Sequence, residues 1–289
     1  MKNKIDKIII NSPFDKPVQF WDYDSKLQKF TKKNERRKAG YVIANANEGE
    51  FVELPLVNKI RTLVEIWREE NYKGISIISR KLLEHWKNNE ARQNRFFFCQ
   101  IEAIETLIWL NESLSDQADS IRKSIPNDGG EFIRYCSKMA TGTGKTTVMA
   151  MIIAWQILNK VNDSSSKNHS RNILLIAPNL TVKNRLAVLN PNHEKNYYDY
   201  FNIVPDDQKE KLRQGNIKII NWHVLAWDTE EKISKRKSVD KRGSKSDKAY
   251  VKETLGELSK YKDLVVINDE AHHPWRVNPE LKEKKLMIF

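Results

Sequence analysis

The chain has 289 residues and a formal net charge of +12, with two cysteines. It is long enough to bury a full core in one or two domains, and the basic excess favours a polyanionic partner, nucleic acid first. Composition argues against a secreted, disulfide-stapled or membrane-spanning chain. Cys99 and Cys136 sit among apolar residues and read as buried thiols, no apolar leader begins the sequence, and no run approaches about 20 apolar residues. A soluble cytoplasmic protein without a membrane partner is expected.

In chain order, Ile5 to Ile10 reads as a strand, followed by a turn at Asn11-Ser12-Pro13. A basic stretch runs from Lys26 to Lys38. Val57 to Glu70 and Ile77 to Lys87 have the spacing of amphipathic helices, with Leu63, Ile66, Trp67 and Leu82, Leu83, Trp86 as apolar anchors. Gln100 to Asn111 continues as a helix, and Ser113 to Gly130 reads as a polar connector. Phe132 to Cys136 is rich in strand formers. Val148 to Leu158 is an apolar run suited to a buried helix, and a polar loop follows from Asn162 to Ser170. Asn172 to Pro178 is a strand leading into a helix, with Thr181 as its expected cap. Ile217 to His223 is a further strand. A second basic stretch, Lys232 to Lys248, is a Ser/Gly-rich loop, and Leu264-Val265-Val266-Ile267 has the continuous apolar character of a central parallel strand.

The chemistry concentrates at two places. Thr141-Gly142-Thr143-Gly144-Lys145-Thr146-Thr147 stands between a predicted strand and a predicted helix, the order of a phosphate-binding loop. Gly142 and Gly144 would let the backbone turn and approach phosphate oxygens, with the helix N-terminus behind them. Lys145 would reach the β- and γ-phosphates of ATP, and the Thr146 hydroxyl would sit on Mg²⁺. The longer glycine pattern fails at Met139. Downstream, Asp269 and Glu270 follow the apolar strand at its carboxyl end, where ligands bind in open α/β sheets. Asp269 would hold Mg²⁺, and Glu270 would orient or deprotonate the attacking water.

Three further segments belong to the same reading. The Gln100 amide offers a donor and an acceptor that suit the edge of adenine, with Arg95 beside it; the alternative is a polar residue on an amphipathic helix. Pro178, Lys183 and Arg185 follow the Asn172 strand, the two cations being phosphate contacts or solvated surface charge. Trp222 and His223 end the Ile217 strand, Trp222 serving equally well as a base-stacking residue or a buried aromatic.

The order Gln100, Gly142-x-Gly144-Lys145-Thr146, Ala177-Pro178, Asn221-Trp222-His223, Asp269-Glu270-Ala271-His272 resembles superfamily 2 helicases of the DEAD/DEAH type. The segments around Phe97 to Leu110, Met139 to Thr146 and Ile10 to Phe14 resemble, more closely, the Res subunit of type III restriction enzymes. The resemblance implies a P-loop NTPase (RecA-like) α/β domain, a parallel sheet flanked by helices, over 95–289, preceded by a mixed α+β region over 1–94. It implies that His272 links the γ-phosphate to the nucleic-acid side and that the loop holding Pro178 grips strand phosphates. In the complete enzyme it implies ATP-driven translocation on double-stranded DNA beside a methyltransferase subunit, with a second lobe carrying arginine fingers and a nuclease domain. Those parts are expected to be missing after Phe289, so the chain alone is expected to bind ATP weakly and turn it over slowly. The competing reading is a module that grips ATP and nucleic acid without efficient turnover.

Overall fold

A computed structural model of the chain describes residues 8–24, 27, 29–44, 49–90, 92–126, 132–225 and 247–270. It divides into two compact units, Met1–Val148 and Met149–Phe289.

The first unit begins with two antiparallel hairpins, β1 (Phe20–Asp24) with β2 (Lys29–Lys33), and β3 (Gly40–Ala44) with β4 (Gly49–Glu53). The expected strand over Ile5 to Ile10 is not formed at 8–10, and its earlier residues lie outside the described ones. Four helices follow: α1 (Pro55–Glu69), α2 (Ile77–Lys87), α3 (Phe98–Glu112) and α4 (Asp116–Ser124). Each start has a local cause. Pro55 presets the first turn of α1, and Ser76 and Ser115 cap α2 and α4 by accepting from the Ser79 and Ala118 amides. Helix α4 therefore occupies the stretch expected to be a polar connector. Its Ser/Asp-rich start, which reads as loop, is a cap and a negatively charged first turn.

Helix α3 is the hub, packing on α1, α2 and α4. It is apolar around most of its circumference, and Ile104, Ile108, Trp109 and Leu110 are buried. On α1 the anchors are Val64 and Trp67; Leu63 is half-buried and Ile66 is exposed, so the buried stripe is rotated from the expected one. On α2, Leu82, Leu83 and Trp86 are buried as expected.

Three carboxylates of α3 are turned inward among these apolar groups. Glu105 is fully buried, receiving Arg68 Nη2 at 2.5 Å and Nε at 3.0 Å, and the Tyr72 hydroxyl at 2.5 Å. Lys87 Nζ in turn donates to the Tyr72 oxygen at 2.7 Å. Glu102 pairs bidentately with Arg36 at 2.5 and 2.6 Å. Glu112 accepts from the Ser76 amide at 2.7 Å and from the Ser79 hydroxyl. Burying these charges is tolerable because each is paired and hydrogen-bonded.

The second unit is built on three parallel strands, β5 (Asn172–Ala177), β6 (Asn216–Asn221) and β7 (Val265–Asn268), in the order β6-β5-β7. All six residues of β5 are buried, so β5 is the central strand of the described sheet. Strand β7, expected to be central, pairs with β5 alone among the described residues, and its Val266 is 51% exposed. The register is pinned at the amino end. Asn216 Nδ2 donates to Asn172 Oδ1 at 2.8 Å, and Asn172 Nδ2 and the Ser170 hydroxyl donate to the Asp263 carbonyl at 3.2 and 2.9 Å.

Helix α5 (Lys145–Asn162) crosses the division between the units. In its body Met151, Ile153, Ala154, Trp155, Ile157 and Leu158 are buried. Gly215 lets its chain pass close to this helix: a Cβ there would stand 2.3 Å from Ile157 Cδ1, which would have to shift. One core cluster joins Leu174 and Ile176 to Ile220 and Leu258, with Trp222, Leu225, Leu255 and Leu264 packed against it. Short helices α6 (Leu180–Arg185), α7 (Tyr197–Tyr200) and α8 (Lys209–Leu212) and a longer α9 (Asp247–Leu255) complete the unit.

Four other expectations are corrected. Phe132 to Cys136 is not a strand: it pairs with no strand among the described residues, and Phe132 and Ile133 are 72% and 81% exposed. Strand propensity without a ladder partner does not make a strand. The cap of α6 is Asn179, whose side chain accepts from the Val182 amide, and not Thr181. Cys136 is exposed and Cys99 half-buried, both as free thiols. Trp222 and His223 lie beyond β6, in a 3₁₀ turn.

Candidate functional site

Residues 141–144 form a tight turn that delivers the chain into α5 at Lys145. Two of its residues are in the left-handed region that favours glycine, Gly142 at φ +81° and Gly144 at φ +78°. The turn is closed by Thr143, whose amide and hydroxyl both donate to the Ala140 carbonyl, at 3.4 and 2.7 Å. Thr147 and Val148 donate back to the Gly144 carbonyl, which starts the helical ladder. The first amides of such a helix have no carbonyl one turn behind them and carry the positive end of its dipole.

The two glycines serve different needs. A Cβ on Gly142 would meet nothing within 4 Å, so the loop's outer turn faces open space where a phosphate group would approach. A Cβ on Gly144 would lie 2.1 Å from Gln100 Nε2. Thr141 and Gly142 are exposed, Thr143 to Thr146 half-buried, and Thr147 buried. An open left-handed glycine ahead of a lysine at the start of a long helix fits a nucleotide's phosphates.

Gln100 is brought to this loop, and its amide is engaged there. Its Oε1 accepts from the Phe97 amide at 2.8 Å, closing the first turn of α3, and its Nε2 donates to the Thr143 carbonyl at 3.1 Å. The sequence suggests a residue for a base edge; the structure shows one that ties α3 to the phosphate loop. The N-terminus of α3 is held from its other side by the Asn11-to-Phe14 segment. The Phe98 amide donates to the Pro13 carbonyl at 2.8 Å, the Phe14 and Phe97 rings are 5.6 Å apart, and Arg95 lies 4.7 Å over Phe14. Arg95 thus stacks on an N-terminal ring.

In the second unit, Asp269 and Glu270 follow β7 in a turn. The Asp269 amide donates to the Ile176 carbonyl at 3.0 Å, which fixes the carboxylate pair at the strand's carboxyl end. Glu270 is left-handed at φ +53°, a conformation that costs a non-glycine residue of order 1 kcal/mol and that clusters at functional turns. No sequence signal marks it. His272 lies outside the described residues.

The same edge of the sheet collects the other expected residues. Ala177 is in register with Asn221, and Ile176 with Asn268. Pro178 with α6, Trp222 with His223, and Asp269 with Glu270 therefore leave three hydrogen-bonded strands at their carboxyl ends. Lys183 is half-buried and Arg185 and His223 are exposed. Trp222 is packed partly against the core cluster, with its ring 4.1 Å from that of His223.

A family model described as type III restriction enzyme, res subunit, matches residues 94–278, more than half of the chain. The chain belongs to that family. Membership implies a P-loop NTPase fold, with which the parallel sheet and its helices agree, and in general terms an ATP-dependent, helicase-like activity. The family generally uses ATP with Mg²⁺. No curated protein and no solved structure matches the chain at a significant level. Among the described residues no helix is long and apolar enough to cross a membrane, and no three or more His, Cys, Asp or Glu side chains cluster as a metal site.

Proposed function

We propose that the chain is the ATP- and DNA-binding motor portion of a type III-like restriction endonuclease, coupling ATP hydrolysis to translocation on double-stranded DNA in the complete enzyme. Residues 1–94 act as an accessory region and 95–289 as the ATP-binding, RecA-like domain, working in the cytoplasm beside a methyltransferase subunit. The observation that carries this reading is the open, left-handed Gly142 two residues before Gly144 and three before Lys145, which heads an 18-residue helix.

In this reading Thr141 to Thr147 wrap the phosphates, and Lys145 neutralises the β- and γ-phosphate charge. Thr146 and Asp269 hold Mg²⁺. Glu270 orients water, and His272 relays to the nucleic-acid side. Gln100 holds the loop, and the amide hydrogen and oxygen lone pair that its two bonds leave over read the base. Pro178, Lys183, Arg185, Trp222 and His223 contact the strand, supported by their placement along one sheet edge.

ATP hydrolysis measured with and without duplex DNA tests the proposal. DNA-stimulated turnover, abolished in Lys145→Ala and in Glu270→Gln, is the expected result. Turnover that survives in Lys145→Ala would sink the site assignment. Salt-sensitive DNA binding with no turnover under any condition would favour the binding module instead.

A further inference from the structure

We infer that Asn11 is a positioning residue for nucleotide binding. It closes residues 11–19 into a clasp on the head of α3, and through Gln100 that head keeps the phosphate loop in the form that receives phosphates. The inference rests on the ATP-binding reading above. Asn11 lies outside the 94–278 region that defines the family, and every contact below lies within the first unit.

One side chain joins the two ends of this loop. Asn11 Oδ1 accepts from the Val18 amide at 3.3 Å, and its Nδ2 donates to the Gln19 carbonyl at 3.0 Å. A short amide side chain supplies that donor and acceptor together. Inside the loop the Ser12 hydroxyl accepts from the Phe14 amide at 3.2 Å, and Pro13 and Pro17 fix their own φ angles. The closed loop has three handholds. Lys16 pairs with Glu65 of α1 at 2.5 Å, the Phe14 ring lies 5.6 Å from that of Phe97 with Arg95 over it, and the Pro13 carbonyl accepts from the Phe98 amide at 2.8 Å. The third has a local cause. Phe97 stands at the N-cap of α3 without a side-chain acceptor, so the first helical amide is satisfied from another segment.

The first turn of α3 carries Gln100, whose Nε2 donates to the Thr143 carbonyl at 3.1 Å. A trans peptide points its N–H opposite to its carbonyl. Holding the Thr143 carbonyl toward Gln100 therefore turns the Gly144 N–H the other way, and among the described residues that N–H has no acceptor. It is free to meet a phosphate oxygen. Gly142 and Gly144 leave the loop backbone permissive, so the hold on this one carbonyl decides how often the N–H is aimed outward. Affinity falls with the fraction of chains in the receptive form. Asn11 acts on that fraction at a distance: it seats Pro13 and Phe14, these seat the head of α3, and Gln100 carries the placement to Thr143.

The test is displacement of a fluorescent ATP analogue from the full chain, with Mg²⁺, by ATP and by inorganic tripolyphosphate, which has phosphates and no base. Asn11→Ala should weaken both ligands about fivefold, the effect of losing about one hydrogen bond. In a Gln100→Ala background the same substitution should change either affinity by less than about twofold, because the route to the loop is already cut. If Asn11→Ala binds both ligands within about twofold of the parent, the inference is overturned. A loss for ATP with tripolyphosphate spared overturns it too, because the effect then lies at the base. So does a loss undiminished by Gln100→Ala. Phe14→Leu, which takes the ring from Phe97 and Arg95, is read by the same outcomes should Asn11→Ala not fold. A parent chain that binds neither ligand overturns the ATP-site reading itself, and one that binds ATP alone overturns the route through the phosphates.

Discussion

Substituting alanine at Gly142 and at Gly144 separates two costs that the phosphate loop combines. Both glycines are left-handed to nearly the same degree, at φ +81° and +78°. An alanine at either position should therefore cost about 1 kcal/mol in backbone strain. At Gly142 the new methyl meets open space and the cost ends there. At Gly144 it would stand 2.1 Å from Gln100 Nε2, in a side chain that is 5% exposed and bonded at both ends of its amide. Moving that amide breaks two hydrogen bonds worth about 1 kcal/mol each. Gly144→Ala should thus cost roughly 3 kcal/mol against about 1 for Gly142→Ala, measured by chemical denaturation. In a Gln100→Ala background the Gly144 penalty should fall toward the backbone value, a coupling of roughly 1–2 kcal/mol. Equal penalties at the two glycines, or a Gly144 penalty indifferent to Gln100, would refute the tie between α3 and the loop.

Three other outcomes are expected. Glu105→Ala leaves the Arg68 charge facing an apolar interior and should destabilise the first unit by about 3–5 kcal/mol in thermal or chemical melts; a loss under about 1 kcal/mol contradicts the buried network. Burial, and next the Glu105 carboxylate, push the Tyr72 phenol well above its ordinary value of 10.0. The folded protein keeps that proton where the unfolded chain has released it, so this stabilisation is complete below pH 10.0 and is lost as pH rises through the folded value. Tyr72→Phe should accordingly flatten the alkaline fall of the melting midpoint, and an unchanged slope counts against it. Asn179→Ala removes the cap of α6, at about 1 kcal/mol, and should speed hydrogen exchange of the Val182 amide while amides in β5 keep their protection.

How far the sequence carried the fold can be judged element by element. Helix α2 was legible to the residue, because Ser76 caps it and Leu82, Leu83 and Trp86 repeat at helical spacing. Strand β5 was legible because Ile173 to Ala177, buried on both faces, form a continuous apolar run. At β7 the same signal met a strand that pairs with β5 alone among the described residues, since an apolar run does not tell a central strand from an edge one. It failed at Phe132 to Cys136, where strand propensity found no ladder among the described residues. The hairpins carry no Asn-Gly turn, and only the four residues Trp21-Asp22-Tyr23-Asp24 alternate cleanly, too short a run to announce them. At the site, the phosphate loop and the acidic pair were visible as motifs. The role of Gln100 in holding the loop was not, because it depends on a carbonyl 43 residues away. Glu102 and Glu105 did leave a trace: two acids three apart inside an otherwise apolar helix are what a buried ion-pair network looks like in sequence.

That network has a practical consequence. The family region begins at residue 94, so it contains α3 with Glu102, Glu105 and Glu112. Arg36, Arg68, Tyr72, Ser76 and Ser79, which satisfy those carboxylates, all precede it. A fragment cut at the family boundary would keep three acids aimed at partners left behind, and would strip the Pro13 carbonyl from the head of the helix that holds the phosphate loop. Homology marks where the ATPase signature starts; the folding unit that supports the loop starts at least 80 residues earlier, at Pro13.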